Sequence, residues 1–187
     1  MKKGFTMIEL IFVIVILGIL SAVAIPRLAA TRDDAEVSKA ATNVSTIISD
    51  ISSYYTSQGT FAKDLDKMTN VALTEATGDL SKGEAATGNM RVSGEDCFTV
   101  TVTPRPTTNI KVGDLNTDII TIAAAKKVTK NGCKAAQANP QIVKMVSAKF
   151  DAQKCKTVET KEGKTSCTKW EPATNISGFP LTGLSVV

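Results

Sequence analysis

The sequence predicts an α+β fold: one long amino-terminal helix, apolar on every side in its first half and amphipathic in its second, packed on a small antiparallel β-sheet. Three observations predict it. Residues 10–25 read LIFVIVILGILSAVAI, sixteen positions without a charge, and no comparable run occurs later. After Pro26 apolar residues recur every three or four positions as far as Tyr55, the period of a half-buried helix. Beyond Cys97, short runs alternate apolar with polar residues, the period of a strand.

The 187 residues, 43% of them hydrophobic, suit one modest domain. The chain has no histidine, which removes every Ser-His, Cys-His and His-metal arrangement. No enzyme, metal centre or cofactor is expected.

Residues 5–25 number 21 and as a helix rise about 31 Å, close to the hydrocarbon thickness of a bilayer. Lys2 and Lys3 precede the span with no acid beside them, and the positive-inside tendency holds that end in the cytoplasm, so the rest of the chain is expected on the far side. A cleaved secretory signal is the competing reading. Against it stand the length of the apolar core, the unbroken run into a helical pattern, and Glu9 inside the apolar stretch. A buried carboxylate at that depth costs on the order of 2 to 3 kcal/mol and asks for a counter-charge. No Lys or Arg lies within the span, which leaves an α-amino group created nearby, or a side chain that snorkels to the headgroups.

Met1-Lys2-Lys3-Gly4 followed by Phe5-Thr6-Met7-Ile8-Glu9-Leu10 closely resembles the class III leader and cleavage site of type IV pilins and type II secretion pseudopilins. The resemblance implies a pilin-like fold, cleavage by a prepilin peptidase after Gly4, methylation of the new terminus at Phe5, and pairing of Glu9 with the amino terminus of an adjoining subunit. Pro26 falls where such pilins carry a proline. A proline inside a continuing helix loses a hydrogen bond and clashes with the preceding turn, so a kink or local melting is expected over residues 22–26. The implied organisation is a leader at 1–4, a transmembrane half-helix at 5–26, an amphipathic half-helix at 27–58 and an exported domain at 59–187.

In the amphipathic half the stripe is Val37, Ala40, Ala41, Val44, Ile47, Ile48, Ile51, Tyr54 and Tyr55, with Asp33, Asp34, Lys39 and Asp50 on other faces and Gly59 as the stop. From residue 5 to 56 the helix would run about 78 Å, too long for a domain of this size to bury at both ends. Its apolar half needs lipid or identical neighbours, and heterologous contacts that do not close generate filaments.

Residues 59–95 hold five glycines among short polar runs and read as an irregular connection with room for a helical turn near Leu73. Residues 98–103 and the run 118–125 read as two antiparallel strands across a polar turn. Residues 142–150 fit strand or helix, and 183–187 look like a closing strand, for a sheet of three to five strands.

Four cysteines in an exported domain favour two disulfides. Three pairings are possible, and the preferred one joins Cys97 to Cys133 and Cys155 to Cys167, the second enclosing a hairpin with Glu162-Gly163 as its turn. Asp114, Asn116 and Asp118 have the spacing of the first three calcium-loop ligands, but Ile119 and Ala125 stand where the turn glycine and the bidentate Glu belong. A solvated turn is the expected reading. Charge is segregated: residues 5–125 carry nine basic and fourteen acidic side chains, and 126–169 carry eleven lysines and three acids. Complementary faces on adjacent subunits explain this better than DNA binding, because aromatics are not interleaved with the lysines.

The expected function is that of a structural subunit in a pilus or pseudopilus filament, with other pilin-like subunits, a prepilin peptidase, an inner-membrane assembly platform and membrane lipid as partners. A DNA-uptake or minor pilin, and a single-span anchor carrying a periplasmic binding domain, are the alternatives. The expected location is the inner membrane with the carboxy-terminal domain in the periplasm, and a periplasmic or extracellular filament after assembly.

Overall fold

The computed structural model describes residues 6–181, and at 29 and 30 the backbone alone. Helix α1 (Met7–Gln58) is a single 52-residue element, about 78 Å long. Gly59 ends it in a left-handed conformation, φ 68°, and its N–H reaches the Tyr55 carbonyl at 2.8 Å. Glycine suits this position because residues with a side chain adopt the left-handed conformation only at a cost, although the space around a Cβ there is open.

Pro26 lies inside α1, and the helix continues through it. Local melting over 22–26 is therefore absent. Proline removes one hydrogen bond, whereas unwinding a turn would free several backbone groups in an apolar stretch that offers them no other partner.

The second half of α1 packs on a five-stranded antiparallel sheet of order β1-β2-β3-β4-β7: β1 (Leu73–Thr77), β2 (Ala86–Val92), β3 (Glu95–Thr103), β4 (Ile119–Ala124) and β7 (Phe179–Pro180). Val44, Ile47 and Ile51 meet Met90, Phe98, Val100, Val102, Ile120 and Ile122 in one core. The pairing of β3 with β4 is the one expected, with Val100 opposite Ile122 and both side chains buried. Strand β3 runs alongside α1. Its start is level with Glu36, which accepts a hydrogen bond from Ser93 Oγ at 2.6 Å. Its far end is level with Tyr55, whose hydroxyl titrates above the ordinary range through burial and the nearby Asp118 carboxylate. The domain thus has a base, where α1 leaves towards its apolar half, and a distal end.

Residues 59–95 are more regular than their composition suggests. They hold β1, β2 and single 3-10 turns at Leu65–Lys67 and Leu80–Lys82, and Leu73 opens a strand opposite Met90 where a helical turn was expected. The inward residues of β2 are Ala86, Gly88, Met90 and Val92, and two of the four are too small to register as an apolar alternation. A Cβ on Gly88 would press on the Leu73 side chain at 3.2 Å.

After β4 come α2 (Asn131–Ala138) and α3 (Pro140–Val146). The Asn139 side chain accepts from the N–H groups of Gln141 and Ile142, and Pro140 takes the first helical position, so 142–146 resolve as helix. Strand begins only at β5 (Lys149–Lys161), which pairs with β6 (Lys164–Ser177) in a separate hairpin. Glu162 and Gly163 form its turn with φ 51° and 76°, the two-residue connection that matches strand twist. The strand expected at 183–187 lies outside the described residues, and β7 occupies the edge beside β4.

The structure joins Cys97 to Cys133 and Cys155 to Cys167, with Cα separations of 5.6 and 5.8 Å. The segment around Asp114 is not a solvated turn. Asp114 and Asn116 lie along β5, through Cys155 N–H to Asp114 O at 2.8 Å and Asn116 N–H to Gln153 O at 2.9 Å. Asp118 is 2% exposed and accepts from the Arg105 N–H at 2.8 Å. Apolar packing of the adjoining Ile119 and Ile120 carries it inward. Among the described residues no cluster of three or more His, Cys, Asp or Glu is placed to hold a metal.

Candidate functional site

The first turn of α1 is a capping box. The Thr6 hydroxyl accepts from the Glu9 N–H at 3.4 Å, and Glu9 Oε2 accepts from the Thr6 N–H at 2.8 Å and from the Thr6 hydroxyl at 2.7 Å. The carboxylate therefore satisfies donors that hydrocarbon could not. The spacing Thr6-x-x-Glu9 is the sequence signal of this cap, and charge arithmetic alone passes over it. Both residues lie beyond Gly4, so cleavage there would leave the box intact.

From Thr6 to Leu28 every residue of α1 is exposed. This stretch holds an 18-residue window of mean hydropathy 2.9, none of it buried by the rest of the chain. Leu10, Phe12, Ile14, Leu17 and Leu20 are each more than half exposed. An apolar surface of this extent is far larger than the patches that soluble monomers present to water. It requires lipid or other copies.

The residues singled out from sequence do not converge on one pocket. Gly4 and Phe5 lie outside the described residues. Glu9 sits at the start of α1 and Pro26 about 26 Å along it. The disulfides serve the domain: Cys97 and Cys133 are fully buried between β3 and α2, whereas Cys155 and Cys167 staple the hairpin. Among the described residues, those singled out are spread along α1 and through the domain rather than gathered in one cleft.

Two carboxylates organise the domain base, and neither has a local sequence signal. Glu95 accepts from the N–H groups of Thr129 and Lys130 and from the Thr129 hydroxyl at 2.8 to 3.0 Å. These bonds hold its carboxyl below the ordinary range and place a negative charge at the amino end of α2. Glu36 is likewise lowered, chiefly by Ser93, and also meets Arg32 at 3.7 Å. At Gly132 a Cβ would collide with Ser93 Oγ, with Asp33 nearby, so glycine lets α2 close on the turn between β2 and β3.

Residues 1–25 match the family model described as the prokaryotic N-terminal methylation motif, which is consistent with a type IV pilin-like chain. The match covers the segment that carries Gly4, Phe5 and Glu9. The motif and the uncovered apolar helix together point to membrane anchoring with a carboxy-terminal domain. No curated protein and no solved structure matches the chain.

Proposed function

We propose that the protein is a structural, non-enzymatic subunit of a type IV pilus-like or type II secretion-like filament, cut after Gly4 and methylated on Phe5. One observation carries this reading: the methylation motif leads without interruption into an apolar half-helix that its own domain leaves uncovered. In the membrane, lipid covers residues 6–28. In a filament, the same half-helices of neighbouring copies replace lipid, so the apolar surface never meets water. The domain, on the far side of the membrane from Lys2 and Lys3, forms the outer layer. A separate ATPase drives assembly.

Glu9 then has two roles. Within the chain it caps α1, and between chains its carboxylate meets the methylated amino terminus of a neighbour. Two substitutions separate them. Glu9→Gln keeps a capping-box residue and loses the charge, whereas Glu9→Ala loses both. Both variants are expected to insert in the membrane and to fail to enter filaments, measured by shearing or crosslinking of assembled material. Normal incorporation of Glu9→Gln would remove the charge pairing. Mass spectrometry of the mature chain is expected to show methylated Phe5 at the amino terminus, and an intact Met1 would refute processing. Membrane insertion with a processed terminus but no assembly of the unaltered chain would favour an anchored binding domain instead.

A further inference from the structure

The lysine-rich part of the sequence divides in space. Lys126, Lys127 and Lys130 lie on the loop from β4 to α2, all exposed and in no ion pair among the described residues. Strand β4 descends from the distal end beside Asp118 to the base, where the Ala125 N–H bonds the Cys97 carbonyl at 2.9 Å. Glu95 then fastens Thr129 and Lys130 to the same level as Glu36 of α1. The loop is thus fixed at the end of the domain nearest the apolar half-helix.

That height is measurable along α1. The ten residues from Pro26 to Glu36 climb about 15 Å. A headgroup layer occupies about 5 to 8 Å outside the hydrocarbon, and a charge is felt over a further 8 Å or about that at physiological salt. The basal loop therefore falls at the outer limit of the headgroup potential, and the lysine stems extend towards it. The acids that share the base are mostly engaged. Glu36 pairs with Arg32 at 3.7 Å and Asp96 with Arg91 at 3.4 Å, whereas Glu95, bonded to backbone donors, keeps its charge and faces that of Lys130. Asp33 is half-buried near Gly132, which leaves Asp34 exposed on α1 against Arg27 and the three lysines.

We propose that Lys126, Lys127 and Lys130 seat the base of the domain on an anionic phospholipid surface while the chain is anchored, so that the domain is held at a set orientation before assembly. The inference rests on the anchoring reading above. Phosphate oxygens of the headgroups are the ligand, and each lysine contributes as a point charge. The contact is broken when the chain leaves the bilayer, which frees the loop at that step.

The test uses the full chain in vesicles of phosphatidylcholine alone or with about 30 mol% phosphatidylglycerol, and a water-soluble amine-reactive ester. Peptide mass spectrometry compares acylation of Lys126, Lys127 and Lys130 with that of Lys161 and Lys164 at the hairpin tip. With anionic lipid at low salt the ratio is expected to fall about five-fold or more, roughly the factor one basic residue gains at such a surface. It should recover at about 0.5 M salt, where the potential is screened. In Lys126→Glu/Lys127→Glu/Lys130→Glu, the reporter is Lys134 of α2, exposed and one turn from Lys130, whose carbonyl accepts from its N–H at 3.1 Å. Anionic lipid is expected to protect Lys134 in the parent chain and not in the variant. A ratio unchanged by anionic lipid, in a chain that resists alkaline extraction, overturns this proposal and leaves anchoring intact. A chain that alkali extracts overturns the anchoring reading itself. Protection in neutral vesicles that grows with protein density would place the lysines against a second copy, and would also overturn it.

Discussion

Between residues 6 and 28 every side chain of α1 is exposed, whereas Val44, Ile47 and Ile51, a few turns along the same helix, are fully buried. Both stretches carry branched aliphatic residues, the first at a much higher density. The difference lies in pattern: the second half places its apolar side chains on one stripe that a sheet can cover, and the first half surrounds the axis with them. A stripe is satisfied within the chain, and a surrounded axis is not. Stability of the domain and anchoring of the chain should therefore be separable, although one helix carries both.

The strongest test of that separation removes a covalent link from the buried half alone. The Cys97–Cys133 bridge, with a sequence separation of 36, ties α2 to β3 beneath α1. Replacing both residues by Ala is expected to cost the domain about 4 kcal/mol in the chain-entropy account, read by urea unfolding, with no loss of membrane retention. Cys155→Ala with Cys167→Ala opens a separation of only 12, and its cost of about 3 kcal/mol should be confined to the hairpin. Loss of membrane retention in either variant would break the comparison.

A smaller effect sharpens it, because the same substitution can be made in both halves. Ile47→Ala leaves a cavity in the core and should destabilise the domain by about 3 kcal/mol. Ile14→Ala alters a side chain that no part of the chain outside its own helix covers, and should move domain stability by no more than about 0.5 kcal/mol. Equal shifts in the urea midpoint would mean that the two halves unfold as one unit.

The same contrast decides what could be read from the residues. The apolar run, the stripe to Tyr55, the Gly59 stop, the paired strands β3 and β4 and the Glu162-Gly163 turn all follow from periodicity or turn chemistry within a few residues. Strand β2 was hidden because Ala86 and Gly88 face inward without bulk. Helix α2 was hidden because it buries only Gly132, Cys133 and Ala136, too little for a 3.6-residue period to show. At the site, Glu9 was visible as a charge in an apolar run, but its bond to Thr6 required attention to capping spacing. The basal loop required a contact, Glu95 to Thr129 and Lys130, that spans more than thirty positions. No local pattern encodes a partner at that distance.

Glu95 supplies the finest test, at the junction between the two halves. Its carboxyl is held below the usual 4.5 by backbone donors of Lys130 and Thr129. A carboxylate with a depressed folded pKa stabilises the fold above the unfolded value, and that stabilisation is lost as pH falls through the folded value. Glu95→Gln should therefore lower the urea midpoint at pH 7, where the carboxylate is charged. The gap between variant and parent should narrow as the pH drops below about 4.5. Glutamine can still accept one bond but lacks the charge that complements the start of α2, so the loop should loosen while the core of α1 stays packed. A gap that stays constant with pH would assign the effect to shape alone, and a variant that released the chain from the membrane would contradict the independence of the two halves.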